Sequence, residues 1–331
     1  MNCVDGDGSR AQNLSRSTDH GDRRALSATP TKPAPEERVA EQPGRQAMKG
    51  WQRAMLSLLA GGFITAAQAQ DIRLYAFSSG ALTIGRGILQ NLAPIDPIQI
   101  PVGFFLVRHP RGNVLFDTGN NDKLITEPNY WPAAMAALKP AMTPDVAIDV
   151  QLKKVGVSLD DISYVVVSHL HLDHGGNIAK FPKSTLVVQK DEVQNAFWPK
   201  AGTGGPYVLG DFLQLRAGTT QKLIQLEGDF DIFGDGTLVV KRWVAHTPGS
   251  QMMTVKLKNS GLIILTGDNV YFRENLEKDL PPNIVLAYYP TGYYTAYEWI
   301  RQQMATQKAD YFTAHDPDAF KAMKKAPAFY D

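Results

Sequence analysis

The densest chemistry in the chain lies in one stretch, Ser168-His169-Leu170-His171-Leu172-Asp173-His174-Gly175-Gly176. Three imidazoles and a carboxylate fall within six positions, directly after the apolar run Ile162-Ser163-Tyr164-Val165-Val166-Val167. Such a β-branched run predicts a buried strand, so the histidines leave it at its C-terminal end, where layered α/β folds keep their chemistry. In extended backbone, residues two apart share a side, which lets His169 and His171 reach one metal ion together. Asp173 and His174 are adjacent and diverge. In a turn leading to a helix they would face a second ion a few ångströms away, the arrangement of a two-metal hydrolase. The bland alternative is a His-rich surface loop. Clustered imidazoles without a metal would repel on protonation and leave ring nitrogens without partners.

The elements that must position these groups can be read downstream. Of the seven histidines, two more end apolar runs. His246 follows residues 238–245 and precedes Thr247-Pro248-Gly249, and His315 follows Asp310-Tyr311-Phe312-Thr313-Ala314. Asp268 follows Leu262-Ile263-Ile264-Leu265-Thr266-Gly267. Four predicted strand ends thus each deliver a ligand-type side chain. Asp117-Thr118-Gly119 closes a further predicted strand, residues 113–117, joined to the strand at 98–107 by the turn Arg108-His109-Pro110-Arg111-Gly112. A carboxylate at Asp117 would fix an imidazole tautomer from behind; the alternative is a turn-capping Asp. His109, beside Pro and Gly, reads as a solvated loop residue.

Residues 1–47 are rich in Ser, Asp, Arg, Pro and Glu with almost no apolar clusters, so they cannot bury enough surface to fold. They read as a disordered leader or a mis-assigned start. From Met48 the text changes. Lys49 and Arg53 supply a positive segment, residues 54–67 are apolar, and Ala67-Gln68-Ala69 offers an A-x-A cleavage site. Residues 48–69 therefore read as a secretory signal peptide, too short for the roughly 20 residues that span a bilayer, and they predict a periplasmic or secreted protein. Residues 70–331 suffice for one α/β hydrolase domain. The only cysteine, Cys3, lies in the leader, which leaves the remainder without a disulfide or a thiolate ligand. A formal net charge of +1 gives no electrostatic argument for nucleic acid.

Two long loops carry aromatics beside the predicted active edge. One, residues 119–144, holds Tyr130, Trp131, Met135 and Met142; the other, residues 197–212, holds Trp198 and Tyr207 among Gly202, Gly204 and Gly205. Such loops are lids or substrate walls and suggest a small-molecule substrate with an apolar moiety, unless their aromatics only pack the loops onto the core. The apolar content of the first also suggests a homodimer contact. Helices are predicted over 145–155, 190–197, 296–308 and 317–325. Strands alternating with helices in two halves favour a four-layer αββα sandwich.

The segment His169-Leu170-His171-Leu172-Asp173-His174 resembles the HxHxDH signature of the metallo-β-lactamase superfamily. The order Asp117-Thr118-Gly119, that segment, His246-Thr247-Pro248-Gly249, Asp268 with Tyr271, and His315-Asp316 spans nearly all of residues 70–331 and is similar to the N-acyl-homoserine lactone lactonases. The resemblance implies one metal held by His169, His171 and His246, a second held by Asp173, His174 and His315, and Asp268 bridging them. It also implies that Tyr271 contacts the substrate carbonyl, that Asp173 serves as proton shuttle, and that a metal-bridging hydroxide opens the lactone ring of a quorum signal. Nitrogen and oxygen donors without sulfur suit two divalent ions, zinc first, with iron, cobalt or manganese compatible. One departure is Ser250, where the family often has a further histidine. Other readings stay open: a broad lactonase or esterase, a phosphotriesterase-like hydrolase, a β-lactamase, or a metal-binding scaffold without turnover. Glyoxalase II is disfavoured by the lack of a basic C-terminal segment.

Overall fold

The computed structural model describes residues 71–216 and 220–331; the predicted leader and signal peptide, residues 1–47 and 48–69, lie outside them. Among the described residues eleven strands form two sheets. The first runs β1 (Arg73–Gly85), β2 (Pro97–His109), β3 (Gly112–Phe116), β4 (Ile162–Val166), β5 (Thr185–Gln189) and β6 (Lys222–Leu226), in that order across the sheet. Its pairing is antiparallel from β1 to β3 and parallel from β3 to β6. The second contains β7 (Phe230–Asp231), β8 (Leu238–Arg242), β9 (Gln251–Lys256), β10 (Leu262–Leu265) and β11 (Asp310–Phe312), neighbours in sequence order, with β11 parallel to β10 at one edge.

Side-chain alternation explains the layering. Along β2, Phe105 and Val107 join the cluster between the sheets with Val240, Met253, Leu265 and Phe312. Phe104 and Leu106, one step out of phase, join Ile148, Leu152 and Val193 on the outer face. On β10, Ile263 and Leu265 point inward while Ile264 packs with Tyr293, Tyr297 and Ile300. Sheets apolar on both faces need helices outside. These are α1 (Arg86–Leu89), α2 (Ile148–Lys153), α3 (Lys190–Phe197), α4 (Leu209–Phe212), α5 (Arg273–Glu277), α6 (Pro290–Gln307) and α7 (Pro317–Ala322). The result is the expected αββα sandwich. Among the described residues no helix is long and apolar enough to cross a membrane.

Several local expectations are corrected. The helix predicted over 145–155 is a 3-10 turn, Pro144–Val146, followed by α2, because Ala147 takes an extended conformation between them. Helix α6 begins at Pro290, ahead of the predicted 296, since proline suits the first helical position. Gly292 in that first turn looks like a breaker in sequence, yet a Cβ there would overlap the Val244 carbonyl. His109 is not solvated. Its ring is buried and stacks on Phe233 at 4.1 Å, and burial depresses its pKa against the pull of Asp235. The cover comes from the segment after β7, a contact that no local pattern announces. The loop aromatics divide: Trp131 and Tyr207 are buried, whereas Trp198 is 80% exposed.

Candidate metal centre

Five strand ends converge on one edge of the sandwich. After β3, Asp117 adopts a left-handed backbone, φ +62°, which aspartate tolerates better than most residues. Its carboxylate thereby reaches the end of β4. Oδ1 accepts the Ser168 N–H at 2.6 Å, and Oδ2 accepts both the Ser168 hydroxyl and the His174 Nδ1–H at 2.9 Å. The loop after β4 closes on itself where the His171 carbonyl accepts the N–H groups of His174 and Gly175, at 3.0 and 2.9 Å. Strand β8 ends at Arg242, earlier than expected, and His246 sits in a turn held by Ser250. The Ser250 hydroxyl donates to the Trp243 carbonyl at 2.6 Å and accepts the Ala245 N–H at 3.3 Å. Past β10, Gly267 has φ +50° and lies against the Ser168 side chain, leaving no room for a Cβ. This contact places Asp268 in the middle of the cluster.

All seven residues predicted to hold metal come together. Three groups have ligand atoms within 4.8 Å of one another: His169 with His171 and His246, His169 with His174 and Asp268, and Asp173 with His174 and His315. Asp268 divides its oxygens between two sides. Oδ1 lies 3.1 Å from Nε2 of both His174 and His315, and Oδ2 lies 3.4 Å from His246 Nε2 and 3.8 Å from His169 Nε2. Asp173 approaches His315 Nε2 at 3.6 Å and His174 Nε2 at 3.8 Å.

The far side of most rings is fastened, which sets the tautomer that faces inward. His246 Nδ1–H donates to the Leu286 carbonyl and His315 Nδ1–H to the Pro101 carbonyl, each at 2.8 Å. Ser168, its own proton committed to Asp117, accepts from His169 Nδ1–H at 3.1 Å. The Nε2 atoms of His169, His174, His246 and His315 therefore face Asp268. His171 differs, directing Nδ1 to within 2.9 Å of His246 Nε2.

The charge distribution is uneven. Burial and the neighbouring histidines hold His169 and His171 well below the ordinary histidine pKa, and burial lowers His246. Burial also opposes a charge on His174, but Asp268, Asp173 and Asp117 outweigh it and raise its pKa well above the ordinary value. His315 follows the same logic, with Asp268 overcoming burial. Burial likewise works against charge on Asp268, and His174 and His315 reverse it, holding the carboxyl well below its usual range. His169 Nε2 and Asp268 Oδ1 are buried without hydrogen-bond partners. Ring nitrogens gathered around a shared carboxylate fit cations, which would displace the ring protons and relieve both orphaned atoms.

Tyr271 spans the centre. Its hydroxyl lies 3.2 Å from His246 Nδ1, and its ring stacks on His315 with centroids 5.9 Å apart. Burial, and then the Asp268 charge, push its pKa well above the ordinary tyrosine value, so it remains a hydrogen-bond donor. A cavity of about 530 Å³ opens beside His171 and His246, walled by Met135, Pro206, Tyr207, Ile284, Val285 and Leu286, among others. Sequence reasoning foresaw the first loop's and second loop's parts in this wall but missed the 284–288 segment. It also missed Glu192 and Asp211, two buried carboxylates that lie in a predicted helix and a predicted loop, where acids are ordinarily solvated. Only the position of Asp211 within an aromatic loop gave any signal.

Comparisons with known proteins give the family and the fold. The sequence profile of the Metallo-beta-lactamase superfamily matches residues 101–315. The N-acyl homoserine lactonase AttM of Azorhizobium caulinodans is 36% identical, over 79% of this chain and 99% of its own length. The N-acyl homoserine lactonase AiiA of Bacillus thuringiensis subsp. kurstaki is 25% identical, over 78% of this chain and 98% of its own. A crystal structure of a B. thuringiensis AiiA variant with N-decanoyl-L-homoserine bound at the active site has a TM-score of 0.67 at 25% identity, covering 78% of this chain and 98% of that one. AidC, a dizinc quorum-quenching lactonase, shares the fold with a TM-score of 0.55 at 17% identity, covering 79% and 94%.

Proposed function

The chain belongs to the metallo-beta-lactamase superfamily, and from that premise we propose that it is a dinuclear metal-dependent hydrolase that opens the lactone ring of N-acyl-homoserine lactones. The observation that carries the reading is Asp268, whose two oxygens face two separate histidine groups. His169, His171 and His246 would hold one ion, Asp173, His174 and His315 the other, and Asp268 would be shared. Zinc suits the donors best. Two divalent cations here would supply an activated water, by bringing its pKa toward about 7, and would polarise the ester carbonyl.

The chain's own groups account for the remainder. Tyr271, kept protonated by its burial, donates to the oxygen that gains charge as the acyl carbon becomes tetrahedral. Asp173 takes up the proton that the attacking water loses and, when the acyl carbon–oxygen bond of the ring breaks, passes it to the departing ring oxygen. The product is the open hydroxy acid. Met135, Ile284, Val285 and Leu286 give the cavity an apolar wall for the acyl chain, and the names of the relatives and the N-decanoyl-L-homoserine bound to one of them support the same substrate class.

The test is hydrolysis of short- and long-chain acyl-homoserine lactones beside a cephalosporin, an aryl ester, a phosphotriester and a glutathione thioester, with metal content measured on the same sample. Preferential lactone opening with two ions per chain is expected. Turnover of another substrate with lactones untouched would refute the substrate assignment. Residues 48–69 support export to the periplasm or medium, and an exported protein whose first residue is not Gln70 would refute that cleavage site.

A further inference from the structure

Glu192 stands in the first turn of α3, a place where an acidic side chain ordinarily complements the helix dipole in water. Here the side chain is fully buried. Its oxygens meet four donors. Oε1 accepts the Leu170 N–H at 2.9 Å and the Tyr207 hydroxyl at 3.1 Å. Oε2 accepts the Thr247 hydroxyl at 2.6 Å and the Gly249 N–H at 3.2 Å.

The identity of those donors is the point. Leu170 is the residue between His169 and His171, and Thr247 to Gly249 is the turn that His246 begins. One carboxylate thus holds the backbone beside all three imidazoles of the three-histidine group through these four hydrogen bonds, none of them to an imidazole. The fit is close enough that a Cβ on Gly249 would overlap the Glu192 backbone. Tyr207 extends the connection to the cavity wall: its ring meets the His171 ring edge-on at 4.6 Å, and its oxygen accepts from Asn195 Nδ2 at 2.9 Å. The other histidines are fastened differently, His174 by Asp117 and His315 by the Pro101 carbonyl. A carboxylate removed from water is costly unless charge-assisted hydrogen bonds offset the loss. Two of the four donors are backbone N–H groups, which cannot turn around.

We propose that Glu192 is a positioning residue for the three-histidine metal site, fixing the distance between the His169/His171 loop and the His246 turn and tying both to the Tyr207 wall. This rests on the metal-pair reading above and is independent of which substrate is opened.

Glu192→Gln tests it. One oxygen becomes an NH2; the two hydroxyl donors can reverse, but either the Leu170 or the Gly249 N–H then faces another donor. The full chain, stripped by chelator and titrated with Zn(II), should bind two ions. The variant should keep one at the original affinity and hold the other about 10- to 100-fold more weakly. With Co(II) as probe, the absorption lost in Glu192→Gln should match that lost in His171→Ala and not that lost in His315→Ala. Should the Gln variant fail to fold, Thr247→Val, which removes one donor, should show a smaller weakening of the same ion. Unchanged affinity in a folded variant, equal weakening of both ions, or loss confined to the Asp173 group would each overturn the proposal. A parent protein that takes up no metal would overturn it together with the reading above. Two ions bound with no lactone opened would fault only the substrate, and a selective loss in Glu192→Gln would still support the positioning role.

Discussion

The Asp117 carboxylate accepts the His174 Nδ1–H at 2.9 Å from a left-handed backbone, and this pairing turns His174 Nε2 toward Asp268. The same carboxylate holds the Ser168 N–H and hydroxyl. Asp117→Asn keeps the shape but replaces one acceptor oxygen with a donor. We expect affinity for the ion beside Asp173, His174 and His315 to fall about 10- to 100-fold, read by zinc titration. An affinity equal to the parent's would remove Asp117 from any role in orienting His174.

Asp268→Asn should act on both ions. The carboxylate is the one group that faces His174 and His315 through one oxygen and His169 and His246 through the other. Its amide has no negative charge to share, so occupancy of both sites should drop in elemental analysis of the purified variant. Full metal content would sink the bridging assignment.

Tyr271→Phe separates rate from binding of metal. The hydroxyl contacts His246 at its outer nitrogen, and the ring stacking on His315 survives the change. Both ions should remain while kcat for lactone opening falls about 10²- to 10³-fold, the usual size for loss of one oxyanion donor. An undiminished kcat with intact metal content would refute the donor role.

The metal ligands were largely legible in the chain because they follow closely on apolar runs, which are a local signal, whereas Tyr271 was named only through the family resemblance. The unbroken apolar runs of β2 and β10 suit sheets covered on both faces. What stayed hidden was tertiary. His109 has a turn's neighbours in sequence, but its burial depends on Phe233. Glu192 looks like the solvated acid of a short helix and Asp211 like that of a loop, and only the packing of distant segments makes them buried acceptors. The 284–288 wall carries no motif at all. It is defined by the Leu286 carbonyl accepting the His246 Nδ1–H.

That wall should set acyl-chain preference. Ile284 and Val285 are 66% and 70% exposed, although both line the cavity beside His246. A chain lying on them buries apolar surface at up to about 0.8 kcal/mol per methylene, so kcat/KM should rise with chain length by no more than about fourfold per added methylene. Val285→Ser should flatten that rise for long chains and leave the shortest substrates little changed. Equal losses at every length would assign Val285 to folding instead of chain recognition.

Asp211 predicts a pH dependence of stability. Its Oδ1 accepts the Tyr130 hydroxyl at 2.6 Å and Asn121 Nδ2 at 2.7 Å, joining the two aromatic loops, while Oδ2 is buried without a partner. Burial pushes the carboxyl up to about 7, against the pull of those two donors. The native chain therefore keeps a proton that the unfolded chain releases near the ordinary value of 3.8. Since the folded state binds the proton more tightly, its contribution is present at low pH, declines as pH rises from about 4 to about 7, and is level above that. A shift of this size corresponds to about 4 kcal/mol over the whole window, with a slope of at most about 1.4 kcal/mol per pH unit. Asp211→Asn keeps an oxygen for Tyr130 and cannot titrate. Urea unfolding of both proteins at pH 5, 6, 7 and 8 cancels every other titrating group in the difference. The variant should gain on the parent steadily between pH 5 and 7 and stay parallel from 7 to 8. A constant difference from pH 5 to 8 would show that Asp211 is ionised throughout and that the loop junction is held by a charged carboxylate.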